Sequence, residues 1–132
     1  MNKLKKEIIE AAMGPAEVIA PDKVIGRYLF PPSFIGFAGH FPGYPVLPAF
    51  VQVLSALMVI EEWKGLPLKL FTIERAKFHI EVKPDQEMTV ECREYEAKGT
   101  PTIEAKLSVA EGLAAVFHIT GIEPPRSKLR GI

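Results

Sequence analysis

The most distinct pattern in the chain is an apolar run that begins after Pro48. From Ala49 to Ile60 every position is apolar except Gln52 and Ser55. Proline suits the start of a helix and glycine its end, so the run between Pro48 and Gly65 predicts a helix over residues 48–64. A helix that is apolar on all sides is surrounded by protein. Because Gln52 and Ser55 are three positions apart, we expect them to face the same small polar space.

Alternation of apolar and polar residues predicts strands before and after this helix. The alternating runs lie at residues 24–30, 77–83, 88–93, 103–109 and 113–120. Turn-forming sequences separate the later runs, which predicts an antiparallel meander with one apolar face on each strand. A short amphipathic helix is also predicted over residues 3–13, and Gly14 and Pro15 end it.

Together these elements predict an α+β fold, in which an antiparallel sheet of about five strands curls around one long helix. The length of 132 residues fits a single domain. We place this domain at residues 1–123, with the first helix inside residues 1–14, and expect residues 124–132 to form a basic tail. Open sheet edges and a helix without a polar face predict a homodimer, or a higher homo-oligomer, that extends the sheet.

Composition narrows the classes of function. The 16 Lys and Arg residues balance 16 Asp and Glu residues, which argues against binding to nucleic acid through overall charge. The single cysteine, Cys92, excludes an intrachain disulfide, and nothing in the sequence resembles a thiolate zinc site. The N-terminus lacks a signal-peptide pattern, and the longest apolar run is shorter than the ~20 residues of a membrane span. We therefore expect a cytoplasmic protein that does not bind membranes.

Residues 31–48 differ from the rest of the chain because they combine prolines and glycines with many large apolar side chains. Such a composition makes a regular element improbable. A long apolar loop in a small chain is usually functional or packed into a cleft. The aromatic residues of the segment are equally compatible with lining an acyl tunnel and with packing the loop: Phe34, Phe37, Phe41 and Tyr44.

Within this segment, residues 39–49 read Gly-His-Phe-Pro-Gly-Tyr-Pro-Val-Leu-Pro-Ala. The run resembles the signature of the bacterial β-hydroxyacyl-acyl-carrier-protein dehydratases of the FabZ and FabA type, with every proline in register. A weaker similarity continues through residues 73–84, so the resemblance spans about residues 24–120. It implies the hot-dog fold, in which a sheet wraps one long helix, and a dimer with active sites at the subunit interface.

The resemblance also implies a reaction, the loss of water from a (3R)-3-hydroxyacyl thioester carried on the phosphopantetheine of acyl carrier protein. The product is a trans-2-enoyl thioester of fatty-acid-type biosynthesis, and the elimination needs no metal or other cofactor. Such chemistry requires a base, donors for the developing oxyanion and an acid for the departing hydroxyl. By resemblance His40 is the base, and the backbone N–H of Ala49 polarises the carbonyl. The substrate is expected to lie against Phe41, Gly43, Val46, Leu47, Ala49 and Leu54.

One position departs from the family pattern. The family carries Glu or Asp fourteen positions after the histidine, where this chain has Leu54. Glu61 and Glu62 lie roughly 10–12 Å further along the helix axis at 1.5 Å per residue, so they are poor substitutes. Gln52 is nearer, and its amide can hold the substrate hydroxyl or a water but cannot act as a general acid. We therefore assign catalysis to His40 and Gln52, with His40 serving both proton transfers.

Two other functions remain open on the sequence. If the protein were a catalytically weak subunit that binds acyl thioesters, the replacement of the family's acidic residue by Leu54 would be explained. The intact loop around His40 argues against this function. A hot-dog thioesterase ranks last, because such enzymes commonly use a carboxylate on the central helix and none lies in the core of this helix.

Several conspicuous residues have simpler structural explanations. His79 and His118 are far apart in the sequence. We therefore expect them to be strand or surface residues and not ligands of a metal site. Cys92 alternates with core positions and is expected to be buried, and Ser55 is expected to bond its own helix backbone. A buried amide satisfied by backbone is the alternative explanation for Gln52. We also expect packing for Trp63. For Arg126, Lys128 and Arg130 we expect a solvated tail, and contact with an acidic carrier protein is the alternative.

Overall fold

The computed structural model describes residues 2–37, 43–68 and 70–121. These residues form two α-helices and six strands, in the order α1 (Lys3–Ala11), β1 (Glu17–Ala20), β2 (Lys23–Leu29), α2 (Ala49–Lys64), β3 (Thr72–Phe78), β4 (Glu87–Ala97), β5 (Thr100–Val109) and β6 (Gly112–Thr120). A 3₁₀ turn at Ile35–Phe37 precedes the segment that leads into α2. The described residues include no helix with the length and apolar character that a membrane span requires.

All six strands belong to one antiparallel sheet with the order β1-β2-β4-β5-β6-β3. The predicted α+β class with one long helix is confirmed. The predicted meander holds only for β4, β5 and β6, because β3 precedes them in the chain but pairs with β6 at the far edge. β1 was not predicted because its four residues are mostly exposed and show no alternating burial.

Helix α2 lies on the sheet and packs against β2 and β4. Its boundaries agree with the prediction to within a residue, since Pro48 is the N-cap and Gly65 ends the helix with a left-handed φ of 73°. The Lys64 ammonium, 2.7 Å from a Glu94 carboxylate oxygen, joins the last turn of α2 to β4. The core between helix and sheet includes Val51, Ile60, Val90, Leu107 and Phe117, all at most 1% exposed.

The predicted strand at residues 77–83 is wrong in position. β3 ends at Phe78, and the backbone N–H groups of His79 and Ile80 both donate to the Ala114 carbonyl, at 2.7 and 3.2 Å. The chain then leaves the sheet, and the Val82 carbonyl accepts a bond from Leu47 instead. His79 is therefore exposed outside a strand, and the alternation after Phe78 reflects packing of an irregular segment.

Candidate active site

The segment before α2 is held in place by residues 81–83. The Leu47 N–H donates to the Val82 carbonyl at 2.7 Å. The Tyr44 hydroxyl donates to the Glu81 carboxylate, a hydrogen bond that raises the pKa of Tyr44 above its ordinary value. Gly43 has a φ of 81°, which a glycine adopts without strain. These contacts hold residues 43–47, the part of the 39–49 motif that leads into α2.

Helix α2 presents a backbone N-terminus without a side-chain cap. Pro48 is the N-cap, and it supplies no side-chain hydrogen bond. The N–H groups of Val51 and Gln52 donate to the Pro48 carbonyl at 3.1 and 3.2 Å, whereas the N–H groups of a helix's first residues have no intrahelical acceptor. Ala49 is exposed at this end. Its N–H lies where the helix dipole favours negative charge, which is the position that an oxyanion requires.

Gln52 is buried one turn into α2 with only half of its amide satisfied. Its side chain is 4% exposed, and Nε2 donates to the Leu47 carbonyl at 3.2 Å. Its Oε1 has no hydrogen-bond partner among the described residues. A buried carbonyl oxygen without a donor costs about 1–3 kcal/mol, so a donor from outside this part of the chain would stabilise the arrangement.

Ser55 confirms the structural explanation given above. Its hydroxyl donates to the Val51 carbonyl at 2.9 Å, within its own helix. Both Ser55 and Gln52 are buried, but the serine has a partner and the Gln52 oxygen does not.

Leu54 lies on a different face of α2, together with Phe50. Leu54 is partly exposed, and Phe50, one turn earlier, is 56% exposed. This face is the part of α2 that the described residues of one chain leave partly exposed. Leucine places no proton donor there, and the next carboxylates along the helix are those of Glu61 and Glu62.

Glu61 and Glu62 are engaged at the other end of α2. Oε2 of Glu61 accepts a bond from the Leu68 N–H at 2.8 Å, and Oε2 of Glu62 accepts one from the Ala16 N–H at 2.9 Å. Both residues line a groove of about 400 Å³ between the last turns of α2 and helix α1. They hold the neighbouring backbone segments and do not replace a carboxylate at position 54.

The other predicted substrate contacts lie around the start of α2. Gly43 is exposed, Val46 is partly buried and Leu47 is 1% exposed in the core. His40 and Phe41 lie outside the described residues, as does the tail at 124–132. The structure therefore brings Leu47, Ala49 and Gln52 together, and leaves Leu54 on another side of the helix.

The aromatic residues of the loop have different environments. Phe34 packs against Phe30 and Phe37, with ring centroids 4.6 and 5.6 Å apart, and Phe34 and Phe37 are buried in the core. These two residues therefore pack the loop against the core. Tyr44 is 48% exposed and bonds Glu81, a partner that sequence analysis missed because no local pattern relates residues 37 positions apart.

The two described histidines and the cysteine occupy ordinary structural positions. Nδ1 of His118 lies 2.9 Å from the Tyr95 hydroxyl, and Nε2 lies 3.5 Å from Glu104. Among residues 2–37, 43–68 and 70–121, no group of three His, Cys, Asp or Glu side chains is arranged to hold a metal ion. Cys92 is fully buried as expected, and burial raises the pKa of its thiol to about 12.

Comparison with known proteins agrees with this architecture. A family model described as ApeI-like, ApeI dehydratase, matches residues 17–115. The 3-hydroxyacyl-[acyl-carrier-protein] dehydratase FabZ of Granulibacter bethesdensis is 28% identical over 117 residues, covering 76% of this chain and 69% of that protein. FabZ of Thermotoga petrophila is 32% identical over 85 residues, covering 60% of this chain and 61% of that protein.

Among solved structures, the dehydratase heterocomplex ApeI:P from Xenorhabdus doucetiae has a chain that superimposes with a TM-score of 0.67. The sequence identity is 21%, and the match covers 83% of this chain and 94% of the other. At that identity the likeness concerns the fold, which is the hot-dog fold.

Proposed function

Because this chain belongs to the ApeI-like dehydratase family, we propose that it removes water from (3R)-3-hydroxyacyl thioesters carried on acyl carrier protein. The product is the trans-2-enoyl thioester, in a pathway of fatty-acid type. The curated relatives are named 3-hydroxyacyl-[acyl-carrier-protein] dehydratases, which supports this choice of substrate class. Residues 39–48 keep every proline of the family signature in register, which supports this substrate class further.

In this proposal His40 moves both protons. Its imidazole takes a proton from C2 of the substrate, and the electron pair moves onto the thioester carbonyl oxygen. As the pair returns to form the C2–C3 double bond, the C3–O bond breaks and the hydroxyl takes the proton back from the imidazolium, leaving as water. An imidazole suits both transfers because its ordinary pKa lies near neutrality.

The N-terminus of α2 supplies the electrostatic part of the mechanism. The Ala49 N–H and the helix dipole stabilise negative charge on the thioester oxygen while the enolate exists. Gln52 then holds the C3 hydroxyl, since its Oε1 accepts a hydrogen bond from that group. The hydroxyl is thereby oriented to receive the proton from His40.

The proposal of dehydration rests on the buried Oε1 of Gln52. It is the buried side-chain oxygen or nitrogen that lacks a partner among the described residues, and it lies in the first turns of the uncapped helix. A hydroxyl bound there removes the cost of the unpaired oxygen. The substrate of a dehydratase carries such a hydroxyl, whereas the substrate of a thioesterase needs none.

A second candidate function is a catalytically weak subunit that binds acyl thioesters. The observation in its favour is Leu54, which leaves the middle of α2 without a proton donor. Such a subunit would retain the acyl site and depend on another protein for the elimination.

The test is incubation of the purified protein with (3R)-3-hydroxyacyl chains on acyl carrier protein, followed by mass spectrometry. A dehydratase produces a loss of one water per chain, and His40→Ala should slow it by about 100-fold or more, the usual contribution of a general base. Formation of a free acid would instead identify a thioesterase. Unchanged substrate that co-migrates with the protein would identify the binding subunit.

Leu54→Glu tests in the same assay whether the face of α2 that carries position 54 takes part in the elimination. If the chain is a dehydratase that works without a helix acid, a carboxyl group on the partly exposed face of α2 should increase turnover. Leu54→Gln is the matched control, because its amide has a similar shape and cannot protonate a leaving group. No gain over the control in a folded Leu54→Glu protein would contradict a role for this face in the elimination.

A further inference from the structure

The side chain of Tyr44 contacts residues 81–83 through both its hydroxyl and its ring. The hydroxyl donates to the Glu81 carboxylate, and the Lys83 ammonium lies 6.0 Å from the ring centroid, at the limit of a cation–π contact. The Leu47 N–H bonds the same segment at the Val82 carbonyl, 2.7 Å away. Two hydrogen bonds, from positions three apart in the chain, therefore hold residues 44–47 against residues 81–83.

Residues 81–83 are themselves attached to the body of the protein. Val82 is 1% exposed in the core. Just after this segment, the Asp85 N–H donates to the carbonyl of Phe30, which follows β2, at 2.8 Å. Tyr44 is thus bonded to a buried and hydrogen-bonded support. Supports of this kind keep functional groups in their working geometry.

The sequence leaves little backbone freedom in the run that joins His40 to α2. Its three prolines, at positions 42, 45 and 48, fix their own φ and restrict the residue before each of them. Gly43 and Val46 are free of this restriction, and Val46 lies between the two hydrogen bonds that hold residues 44–47. Gly43, with a φ of 81°, is therefore the pivot of this run, and Tyr44 fixes the chain directly after it.

We propose that Tyr44, through its bond to Glu81, is a positioning residue that determines where His40 lies relative to the N-terminus of α2. His40 precedes Tyr44 by four residues, a length of chain that spans at most about 14 Å. Few of the intervening backbone angles can absorb a displacement of Tyr44, so the displacement reaches the imidazole. A shift of a reacting group by about 1 Å can slow a reaction by about 100-fold. The role rests on the proposed function, in which His40 is the base.

Turnover of the full-length protein tests this role. Tyr44→Phe removes the hydroxyl and keeps the ring, and Glu81→Ala removes the acceptor. Each should lower kcat by about tenfold with KM changed by less than about twofold, since a displaced base affects the transition state more than substrate binding. The double variant should be no slower than either single variant, because both remove the same bond. Glu81→Gln should keep about half or more of the wild-type kcat, because its amide oxygen still accepts the bond.

Tyr95→Phe is the matched control for these variants. It also removes a tyrosine hydroxyl from a side-chain contact, in this case with His118 of β6. Its kcat should equal that of wild type. Urea denaturation of each protein gives the folded fraction by which kcat is normalised, so that partial unfolding is not mistaken for a displaced base.

Amide hydrogen exchange tests the contact without any substrate. The Leu47 N–H is bonded to the Val82 carbonyl, and its exchange should be about fivefold or more faster in Tyr44→Phe and in Glu81→Ala. The N–H groups in the middle of β5 should exchange at the wild-type rate. Such a pattern reports local release of residues 44–47, whereas a general loss of stability would accelerate exchange in the sheet as well.

Three results would overturn the positioning role. A Tyr44→Phe protein with a lower kcat, beside a Glu81→Ala protein with the wild-type kcat, would show that the hydroxyl acts directly on the substrate. A wild-type kcat in both variants would show that His40 needs no support from this contact. Unchanged exchange of the Leu47 N–H in both variants would show that the bond does not hold the segment.

Failure of the proposed function gives a different result. A wild-type protein that removes no water from any hydroxyacyl substrate would overturn the dehydration, and the positioning role with it. Faster exchange of the Leu47 N–H in the two variants would then still establish the contact between Tyr44 and Glu81, so the two failures are distinguishable.

Discussion

Individual residues of α2 show how far a polar side chain can be interpreted from sequence. The pattern predicted that the Ser55 hydroxyl bonds its own helix, and this is confirmed. In any α-helix, a serine hydroxyl can reach the carbonyl of the residue four positions earlier. Gln52 is longer, and its partner Leu47 lies before the helix. Sequence therefore predicted that Gln52 is buried and polar, but not that its Oε1 has no partner among the residues that the structure describes.

Replacement of Gln52 by leucine separates ligand binding from stability. Gln52→Leu removes a buried oxygen that has no partner among the described residues, a cost of about 1–3 kcal/mol, but it also takes the Gln52 donor from the carbonyl of the buried Leu47, at a similar cost. We expect a free energy of unfolding within about 1 kcal/mol of wild type, or higher, together with a turnover at least about tenfold lower. Urea denaturation and the dehydration assay measure the two quantities.

Ser55→Ala is the matched control for this prediction. It removes a buried polar group from the same helix, but that group is bonded to Val51, so turnover should be retained. A Gln52→Leu protein that keeps wild-type turnover would mean that no substrate group bonds Oε1. A protein that loses turnover only because it unfolds would show a structural role.

At the scale of elements, the sequence predicts those whose signals are local. The prediction of α2 was correct because Pro48 and Gly65 mark its ends. The predictions of β4, β5 and β6 were correct because buried and exposed residues alternate along each strand. β3 was misplaced because its exposed edge carries little alternation, whereas the irregular residues after Phe78 alternate because Ile80 and Val82 pack inward without joining a strand. The contact between that segment and the loop before α2 is long-range, so no local signal predicts it.

The close approach of β2 and α2 yields a prediction at this scale. A Cβ added at Gly26 would lie 2.6 Å from Cγ2 of Val59, a buried side chain of α2. Gly26→Ala should therefore lower the free energy of unfolding by about 1–3 kcal/mol, the usual cost of overpacking. Thermal or urea denaturation measures the effect.

A double-mutant cycle tests the cause. Val59→Ala alone leaves a cavity and should also destabilise, but in combination with Gly26→Ala the new methyl group occupies part of that cavity. The double variant should be more stable than the sum of the two single effects by about 1 kcal/mol. Strict additivity would show that the cost of Gly26→Ala comes from the strand and not from α2.

At the scale of the whole molecule, the sequence predicted one helix on a curled antiparallel sheet because binary patterning alone requires that layer arrangement. It did not predict the position of β3, since the order of strands in a sheet depends on contacts between distant segments. The same limit applies to the site. The motif around Pro48 predicts a location for the site. The contact of Tyr44 with Glu81, and the Gln52 oxygen that lacks a partner among the described residues, arise only after the fold brings these segments together.

The buried core also predicts how stability depends on alkaline pH. Burial raises the pKa of the Cys92 thiol from 9.0 to about 12, and it also raises that of the Tyr28 hydroxyl. The folded protein thus keeps the Cys92 proton in a pH range where the unfolded chain releases it. Since the unfolded state binds fewer protons, the free energy of unfolding falls as pH rises above 9.

Comparison with Cys92→Ala isolates this effect. One pKa unit corresponds to about 1.4 kcal/mol, so the stability of wild type relative to Cys92→Ala should fall by about 1.4 kcal/mol between pH 8 and pH 10. The variant has a lower stability at neutral pH because it leaves a small cavity, and the measured quantity is therefore the change in the difference between the two urea curves. Burial keeps the Tyr28 hydroxyl protonated in both folded proteins over this range, although the Cys92 charge contributes to the raised pKa of Tyr28 in wild type. Parallel stability profiles across this range would mean that the Cys92 thiol ionises as readily in the folded protein as in the unfolded chain.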